Sequence, residues 1–346
     1  MKTLDIDKLI RPNIGRLKPY SSARSEFTGD GATFLDANEN PVNTLYNRYP
    51  DPLQWNLKQK ITAIKGVEPE MTFLGNGSDE AIDLLIRAFC QPGTDNILSV
   101  EPTYGMYRVC ADISEVEYNE VLLTDDFQPD VEKLLQMANS HTKLLFLCSP
   151  NNPTANSFSG EAIKNILNSF SNLVVLDEAY IDFSTQQSLL SKLAEYQNLI
   201  ILQTFSKAWG LAGIRLGMCF ADRRVISVMN KIKFPYNVNS TTLKIAGEAL
   251  DKKDSNNGGV EMILKERDRL AAELPKYSQI ISVFPSDANF LLVKVSKPES
   301  LYKYLVNEGI IVRDRSKVRL CEGCLRITVG LPQENDLLLK VLGKFK

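Results

Sequence analysis

Three polar segments of this chain follow apolar runs and contain side chains able to do covalent or acid–base chemistry. Lys207 follows the apolar run 199–203 in a loop containing Ser and Gly. A lysine partly removed from water there can lose its proton and act as a nucleophile that forms Schiff bases. Asp177 ends the run 173–176, where a buried carboxylate requires a cation or hydrogen-bond donors. Asn152 lies in a Pro-containing loop, Ser149 to Thr154, that can direct its amide toward a ligand.

Each segment alone also allows a simpler interpretation. Asn and Pro favour turns, and most lysines are solvated at the surface. An apolar strand ending in Asp177-Glu178 is also typical of the metal-holding strand of P-loop NTPases, but the G-x-x-x-x-G-K-[ST] loop that such a protein requires is missing from the sequence. The segment GNGSDE at residues 75–80 fails the dinucleotide-binding fingerprint, because Glu80 occupies the third glycine position.

Composition limits the chemistry further. The 346 residues include 40 basic and 42 acidic side chains, so the formal charge of −2 gives no bulk attraction to nucleic acid or anionic membrane. The one histidine, His141, excludes His-rich zinc sites and two-His iron centres, and no metal site is predicted. His141 lies in a polar segment outside every motif and is predicted to be a surface residue.

The apolar pattern and the cysteines predict where in the cell the protein is found. No apolar run approaches the roughly 20 residues that cross a bilayer, and the N-terminal residues lack an apolar signal core. The six cysteines are scattered along the chain, which favours reduced thiols and a cytoplasmic protein. Cys321 and Cys324 form a C-x-x-C pair without a second pair, so a structural role is predicted for them.

An α/β architecture must position the three segments. Between residues 70 and 250, short apolar runs alternate with amphipathic segments, which predicts a mostly parallel sheet sandwiched by helices. The predicted helices are 78–89 and 161–170, and the predicted strands are 97–100, 144–148, 173–176, 199–203 and 216–220. Ligands bind beyond the carboxyl ends of such strands, where the three segments begin.

A polar stretch at residues 251–259 predicts a domain boundary near 255. We expect an N-terminal segment, 1–35, packing with the small domain, a large cofactor-binding domain at 36–255, and a smaller α+β domain at 256–346. The predicted elements of the small domain are helices around 260–274 and 299–308, strands at 289–295 and 325–329, and a final helix from 333.

In their order, the three segments resemble those of the fold-type I aminotransferases that depend on pyridoxal 5′-phosphate (PLP). The family pattern is an Asn-Pro loop, an Asp-x-x-Tyr strand end and a Ser-Lys pair followed eight residues later by Arg. The matching positions here are Asn152-Pro153, Asp177 with Tyr180, and Ser206-Lys207 with Arg215. Ala155 stands where the family usually has glycine, which affects the loop backbone rather than a functional side chain.

The resemblance implies specific roles. Lys207 would hold PLP covalently and move the proton at the substrate Cα, and Asp177 would pair with the protonated pyridine nitrogen. Asn152 and Tyr180 would bind the phenolic oxygen of the ring, and Tyr104 would stack on it. The phosphate would be bound by Ser206, Arg215 and the turn Gly77, Ser78 and Asp79, since the turn opens a helix whose free N–H groups favour an anion. Lys207, Asp177 and Tyr180 are the predicted catalytic residues.

A more specific resemblance, to the histidinol-phosphate aminotransferase family, covers nearly the whole chain. The matching segments are LKPY at 17–20, DANENP at 36–41, NRYPDP at 47–52, EAIDLLIRAF at 80–89, PTYGMY at 102–107, IIVRD at 310–314 and CLRITVG at 324–330. This resemblance implies transamination between histidinol phosphate and 2-oxoglutarate, giving imidazole-acetol phosphate and glutamate in histidine biosynthesis. It also implies a homodimer in which Tyr49 reaches the PLP phosphate of the neighbouring subunit.

Substrate anions require cationic partners. Arg326 is the first candidate, because a guanidinium binds carboxylate or phosphate with paired donors. Arg313 and Tyr20 are the next candidates, and Asn38 and Glu39 are expected on the substrate side. An aromatic or broad-range aminotransferase, or a phosphoamino-acid decarboxylase of the same fold, shares most of these residues, so both remain alternatives.

Overall fold

The computed structural model describes residues 4–20, 33–42 and 44–345. Within these residues, a seven-stranded sheet in the order β1-β7-β6-β5-β4-β2-β3 forms the centre of the larger part of the chain. Its strands are β1 (Thr72–Asn76), β2 (Asn96–Glu101), β3 (Glu117–Leu122), β4 (Thr142–Cys148), β5 (Leu173–Asp177), β6 (Leu199–Thr204) and β7 (Leu216–Phe220). Strand β7 runs antiparallel to both of its neighbours, and the other pairs are parallel.

Helices cover both faces of this sheet. They are α1 (Ile6–Leu9), α2 (Pro12–Arg16), α3 (Trp55–Lys65), α4 (Gly77–Phe89), α5 (Met106–Ile113), α6 (Val131–Met137), α7 (Gly160–Ser169), α8 (Arg223–Ile232) and α9 (Ser240–Asp251). Side chains alternate between two core clusters: along β4, Leu145 and Leu147 belong to one, and Leu144 and Phe146 to the other. The predicted sandwiched sheet is therefore confirmed.

All five predicted strands of the larger part are found, whereas β1 and β3 were not predicted. Strand β3 has the sequence EYNEVL, lies at the sheet edge and is mostly half-exposed. An edge strand of this kind lacks the continuous apolar run that marks a buried parallel strand. Strand β1 (TFLGN) is short and contains a glycine, which weakens the same pattern.

The smaller part contains an antiparallel sheet in the order β10-β11-β9-β8, formed by described residues from Ile280 onward. Its elements are α10 (Lys253–Glu273), β8 (Ile280–Val283), β9 (Phe290–Val295), α11 (Pro298–Asn307), β10 (Arg313–Asp314), β11 (Cys324–Thr328) and α12 (Pro332–Leu342). Helix α10 begins earlier than predicted, because polar residues also occupy helical turns. The stretch 251–259 is therefore mostly helical, and the domain boundaries remain predictions.

The N-terminal helices contact the larger part of the chain. Ile6 is 2% exposed and lies in a core cluster with residues of α4 and α8. The backbone N–H of Arg11 donates to the carbonyl of Ala88 at 3.0 Å, and Lys231 Nζ donates to the carbonyl of Gly15 at 2.8 Å. The expected packing of residues 1–35 with the small domain is therefore wrong for residues 4–16, since their apolar side chains complete the core of the larger part.

Two further predictions concern single residue types. All six cysteines are free thiols and buried, so Cys321 and Cys324 fill core positions. His141 is exposed, as predicted, with its Nδ1 3.6 Å from Asp95 Oδ1. Among the helices of the described residues, none is long and apolar enough to cross a membrane.

Candidate active site

A cavity of about 140 Å³ lies where β4, β5 and β6 end. It is lined by Gly77, Ser78, Asp79, Tyr104, Cys148, Asn152, Asp177, Ala179, Tyr180, Thr204, Ser206, Lys207, Ala212 and Arg215. The last residues of these three strands, Cys148, Asp177 and Thr204, are among them. The structure thus brings together every predicted cofactor-binding residue except Tyr49.

Asp177 is the buried carboxylate of this cavity, with 2% of its surface exposed. Tyr107 Oη donates to Asp177 Oδ2 at 2.8 Å, and the backbone N–H of Ala179 donates to Oδ1 at 3.1 Å. Burial raises the pKa of Asp177 to about 6, although both hydrogen bonds favour the charged form. A cation placed against this carboxylate would offset the cost of burial, which fits a protonated pyridine nitrogen.

Lys207 supplies the amine. Its Nζ lies 5.6 Å from the centroid of the Tyr180 ring. Burial lowers the pKa of Lys207, and the positive charge of Arg326 lowers it further, whereas Asp177 acts in the opposite direction. The neutral amine, which is the nucleophile, is therefore favoured at a lower pH than for a solvated lysine.

Asn152 connects the cavity to the smaller part of the chain. Its Oδ1 accepts a hydrogen bond from Nη1 of Arg326 in β11, whose guanidinium carbon lies 5.2 Å from the centroid of the Phe290 ring. Nε of Arg326 is buried and has no hydrogen-bond partner among the described residues. Burial lowers the pKa of Arg326 and raises that of Tyr180, so the phenol remains a hydrogen-bond donor at neutral pH. An anion at Arg326 would supply the missing acceptor.

The opposite end of the cavity is the start of α4. Gly77 has a φ of +73°, which favours glycine, and its N–H donates to the carbonyl of Arg215 at 2.9 Å. Arg215 Nη2 lies 3.5 Å from Asp79 Oδ2, and Tyr104 Oη donates to Asp79 Oδ1 at 3.0 Å. Because the first N–H groups of a helix have no partner within it, this end combines backbone donors with an arginine. Such a combination fits a phosphate group.

Three arginines share one face of the smaller sheet. Arg313 pairs directly with Arg326, and the N–H of Arg315 donates to the carbonyl of Cys324 at 3.0 Å. Paired and alternate strand residues lie on the same face, and Cys324 packs in the core of the larger part. This face is therefore turned toward the larger part, and the pKa of Arg315 is lowered by burial and by the other two arginines. Arg315 has no role in the sequence-based prediction, although its spacing from Arg313 matches a strand.

Four predicted residues lie elsewhere in the single chain. Tyr20 is 74% exposed. Asn38, Glu39 and Tyr49 line a separate cavity, in which Glu39 Oε1 accepts from the N–H of Tyr49 at 2.6 Å. The ring of Tyr49 stacks on Tyr236 with centroids 4.4 Å apart. Their roles toward cofactor and substrate remain predictions, and for Tyr49 the predicted contact concerns a neighbouring subunit.

Two further residues, one behind the cavity and one lining it, have no role in the sequence-based prediction. Tyr107 lies within the segment PTYGMY, and the sequence pattern does not predict its contact with Asp177. Its position three residues after Tyr104 places both rings at the start of α5, edge to face, with centroids 5.6 Å apart. Thr204 ends an apolar strand, and its Oγ1 accepts from the N–H of Ser206 at 3.1 Å. Polar residues that end an apolar strand are the local pattern that identifies both Thr204 and Asp177.

The fold and this cavity define a PLP-dependent aminotransferase. The sequence model of the family "Aminotransferase class I and II" matches residues 35–342, and the chain belongs to that family. The buried carboxylate, the amine with a lowered pKa and the arginine-flanked helix start fit PLP, which is the cofactor.

Similarity to individual proteins is more specific than the match to the family. The chain is 54% identical over 342 residues to the histidinol-phosphate aminotransferase of Parabacteroides distasonis, with 99% of each chain covered. The crystal structure of histidinol-phosphate aminotransferase from Sinorhizobium meliloti in complex with pyridoxal-5′-phosphate is 25% identical, with a TM-score of 0.78 over 86% of this chain and 83% of that one. The L-threonine-O-3-phosphate decarboxylase of Porphyromonas gingivalis shares the fold at 23% identity and a TM-score of 0.73, covering 86% of this chain and 90% of that one.

Proposed function

We propose that this chain is a PLP-dependent transaminase that acts on histidinol phosphate with 2-oxoglutarate, giving imidazole-acetol phosphate and glutamate in histidine biosynthesis. The observation that carries the reaction class is the meeting of Lys207, Asp177 and the start of α4 in one cavity. The substrate assignment is supported by full-length similarity at 54% identity to a histidinol-phosphate aminotransferase.

PLP, when bound, supplies an electron sink for the electrons released at the substrate Cα. The amine of Lys207 holds the cofactor and afterwards carries the proton at the substrate Cα. The carboxylate of Asp177 keeps the pyridine nitrogen protonated by pairing with it. Asn152 and Tyr180 donate hydrogen bonds to the phenolic oxygen, and Tyr104 covers the ring.

The phosphate of the cofactor is bound by Ser206, Arg215 and the Gly77–Asp79 turn. Tyr49 acts at the site of a neighbouring subunit, so the enzyme is a homodimer with shared active sites. The reaction uses small-molecule substrates and requires neither nucleic acid nor a membrane, and we place the enzyme in the cytoplasm, where its free thiols stay reduced.

Substrate anions are bound at the arginine face of the smaller sheet. Arg326 binds the phosphate of histidinol phosphate or a carboxylate of the dicarboxylic acid, because its guanidinium offers paired donors and its buried Nε lacks a partner among the described residues. Arg313, next to Arg326 in the sheet, adds positive charge. Tyr20, Asn38 and Glu39 complete the substrate side.

A panel of amino donors with 2-oxoglutarate tests this assignment. We expect kcat/KM for histidinol phosphate to exceed that for histidinol, phenylalanine or tyrosine by about 100-fold, because the phosphate is needed to satisfy buried arginine donors. Threonine phosphate, which also carries a phosphate, tests for the decarboxylase alternative. Arg326→Ala should raise KM for histidinol phosphate strongly. Arg319→Ala, which removes an exposed arginine paired with Glu120, is the control and should leave KM unchanged.

Two results would contradict the assignment. Preference for phenylalanine or tyrosine would indicate an aromatic aminotransferase. Release of CO₂ from threonine phosphate without formation of glutamate would indicate a decarboxylase of the same fold.

A further inference from the structure

The turn between β1 and α4 contains a carboxylate that the proposed function does not use. Residues 77–79 are assigned to the cofactor phosphate, yet Glu80 follows them directly in the first turn of the same helix. A carboxylate close to a bound dianion would weaken anion binding by repulsion. Its presence therefore needs a structural reason.

The side chain of Glu80 folds back toward Asn76, the residue before the helix. Its Oε2 accepts a hydrogen bond from the backbone N–H of Asn76 at 2.5 Å, and both of its oxygens accept from Asn237 Nδ2 at 3.1 and 3.2 Å. Gly75 leaves room for this arrangement, since a Cβ there would lie 3.0 Å from Glu80 Oε2. Glu80 therefore satisfies the N–H that precedes the helix, as the acidic residue of a capping box does.

Asn237 is itself held by buried groups. Its Nδ2 also donates to the carbonyl of Leu74 at 2.9 Å, and its Oδ1 accepts from Lys233 Nζ at 3.1 Å and from Gln54 Nε2 at 3.2 Å. Lys233 is 8% and Gln54 2% exposed. Because an ammonium can only donate, the lysine fixes which side of the Asn237 amide faces Glu80.

Asn237 also reaches the turn directly. The backbone carbonyl of Asn237 accepts a hydrogen bond from Asn76 Nδ2 at 2.5 Å. Both Asn237 and Glu80 therefore contact Asn76, the residue before Gly77. Neither Glu80 nor Asn237 lines the cavity formed by the described residues. Any effect of theirs on the cofactor must therefore pass through the backbone of the turn.

We propose that Glu80 and Asn237 are positioning residues for the cofactor phosphate: together they hold the backbone at Asn76 so that the first N–H groups of α4 face the anion. This inference rests on the proposed function, which places the phosphate at that turn. A positioning role predicts that loss of Glu80 weakens binding of the phosphate, whereas simple repulsion predicts the opposite.

The test compares PLP with pyridoxal, which lacks the phosphate, as ligands of the cofactor-free protein. We expect Glu80→Ala and Asn237→Ala each to raise the Kd for PLP about 10-fold and to leave the Kd for pyridoxal within about twofold. The double variant should lose little more than either single variant, because both act through the same backbone contact. Glu80→Gln keeps an acceptor for the Asn76 N–H and should retain PLP affinity within about threefold.

Asp83→Ala is the matched control, since it removes a carboxylate from the same helix, about one turn further along. It should change neither Kd. The inference is overturned if Glu80→Ala binds PLP as tightly as the wild type or more tightly, or if PLP and pyridoxal are weakened equally. If Asn237→Ala does not fold, the comparison of Glu80→Ala with Glu80→Gln shows whether the inference holds.

Failure of the inference can be told apart from failure of the proposed function. If the wild-type protein itself does not prefer PLP over pyridoxal, the proposed phosphate site is wrong. If it does prefer PLP and Glu80→Ala keeps that preference, only the positioning role is wrong.

Discussion

At the scale of single residues, the site depends on ionisable groups that burial holds away from their usual titration range. Asp177 has a raised pKa and Lys207 a lowered one, and both effects begin with removal from water. Burial thus favours the neutral, nucleophilic amine of Lys207, and it leaves the Asp177 carboxylate in need of a cationic partner, which a protonated pyridine nitrogen supplies. The residue types could be read from the sequence, whereas the degree of burial that shifts their pKa values could not.

The raised pKa of Asp177 predicts a pH-dependent stability effect in the cofactor-free protein. Burial raises the pKa of folded Asp177 from 3.8 to about 6, so the folded protein binds this proton more tightly than the unfolded chain does, and folding becomes less favourable as the pH rises through that interval. We expect Asp177→Asn to raise the free energy of unfolding by about 3 kcal/mol near pH 7.5 and by much less near pH 4. Urea unfolding at the two pH values measures this difference.

Two comparisons complete that experiment. Asp182→Asn, which removes an exposed carboxylate nearby, is the control for a carboxylate-to-amide change and should alter the free energy of unfolding little. A gain from Asp177→Asn that is equal at both pH values would contradict the burial argument. Transamination by Asp177→Asn should nevertheless fall by about 100-fold or more, because the pyridine nitrogen loses its charged partner.

At the scale of elements, the phosphate end depends on close contact between strand β7 and the start of α4. Gly217 in β7 leaves no space for a side chain, since a Cβ would lie 2.2 Å from the carbonyl carbon of Gly77 and from the nitrogen of Ser78. The helix therefore begins directly against the strand, with Arg215 beside it. The sequence predicts the helix at 78–89, but not β1 or the approach of β7 to it.

Gly217→Ala should consequently displace the turn. We expect the Kd for PLP to rise by about 100-fold, because the backbone of residues 77 and 78 must move to admit the methyl group. Gly213→Ala is the control, as a Cβ at Gly213 meets nothing within 4 Å. Equal PLP affinity in the two variants would show that the turn tolerates the displacement.

At the scale of the whole molecule, the predicted site is incomplete within one chain. Tyr49 stacks on Tyr236 at a separate cavity, and its predicted partner is the cofactor of a neighbouring subunit. A homodimer with shared sites therefore predicts complementation between two inactive variants.

We expect Lys207→Ala and Tyr49→Ala each to be nearly inactive as pure proteins. After unfolding and refolding in equal amounts together, half of the dimers are mixed, and each mixed dimer contains one site with both residues intact. About 25% of wild-type activity should return. No recovery, despite mixed dimers detected by mass spectrometry, would place Tyr49 outside the neighbouring site.

The sequence predicted the parts of this molecule that short-range patterns describe. Apolar runs predict the central strands. Polar residues at the ends of these strands or just after them predict Asp177 and Lys207 as residues of the site. Contacts that depend on distant segments were not accessible in this way. The packing of Ile6 against the larger part, the hydrogen bond from Tyr107 to Asp177 and the shared face of Arg315 and Arg326 depend on how the chain folds back.

The most direct test of the central claim is to identify the lysine that holds the cofactor. Reduction of the purified enzyme with borohydride, followed by digestion and mass spectrometry, fixes PLP to the lysine that binds it. Burial also lowers the pKa of Lys58 and Lys233 to about 8, so both are chemically competent alternatives. We expect the PLP mass on the peptide containing Lys207 and its loss in Lys207→Ala. A cofactor found on Lys58 or Lys233, or full transamination by Lys207→Ala, would contradict it.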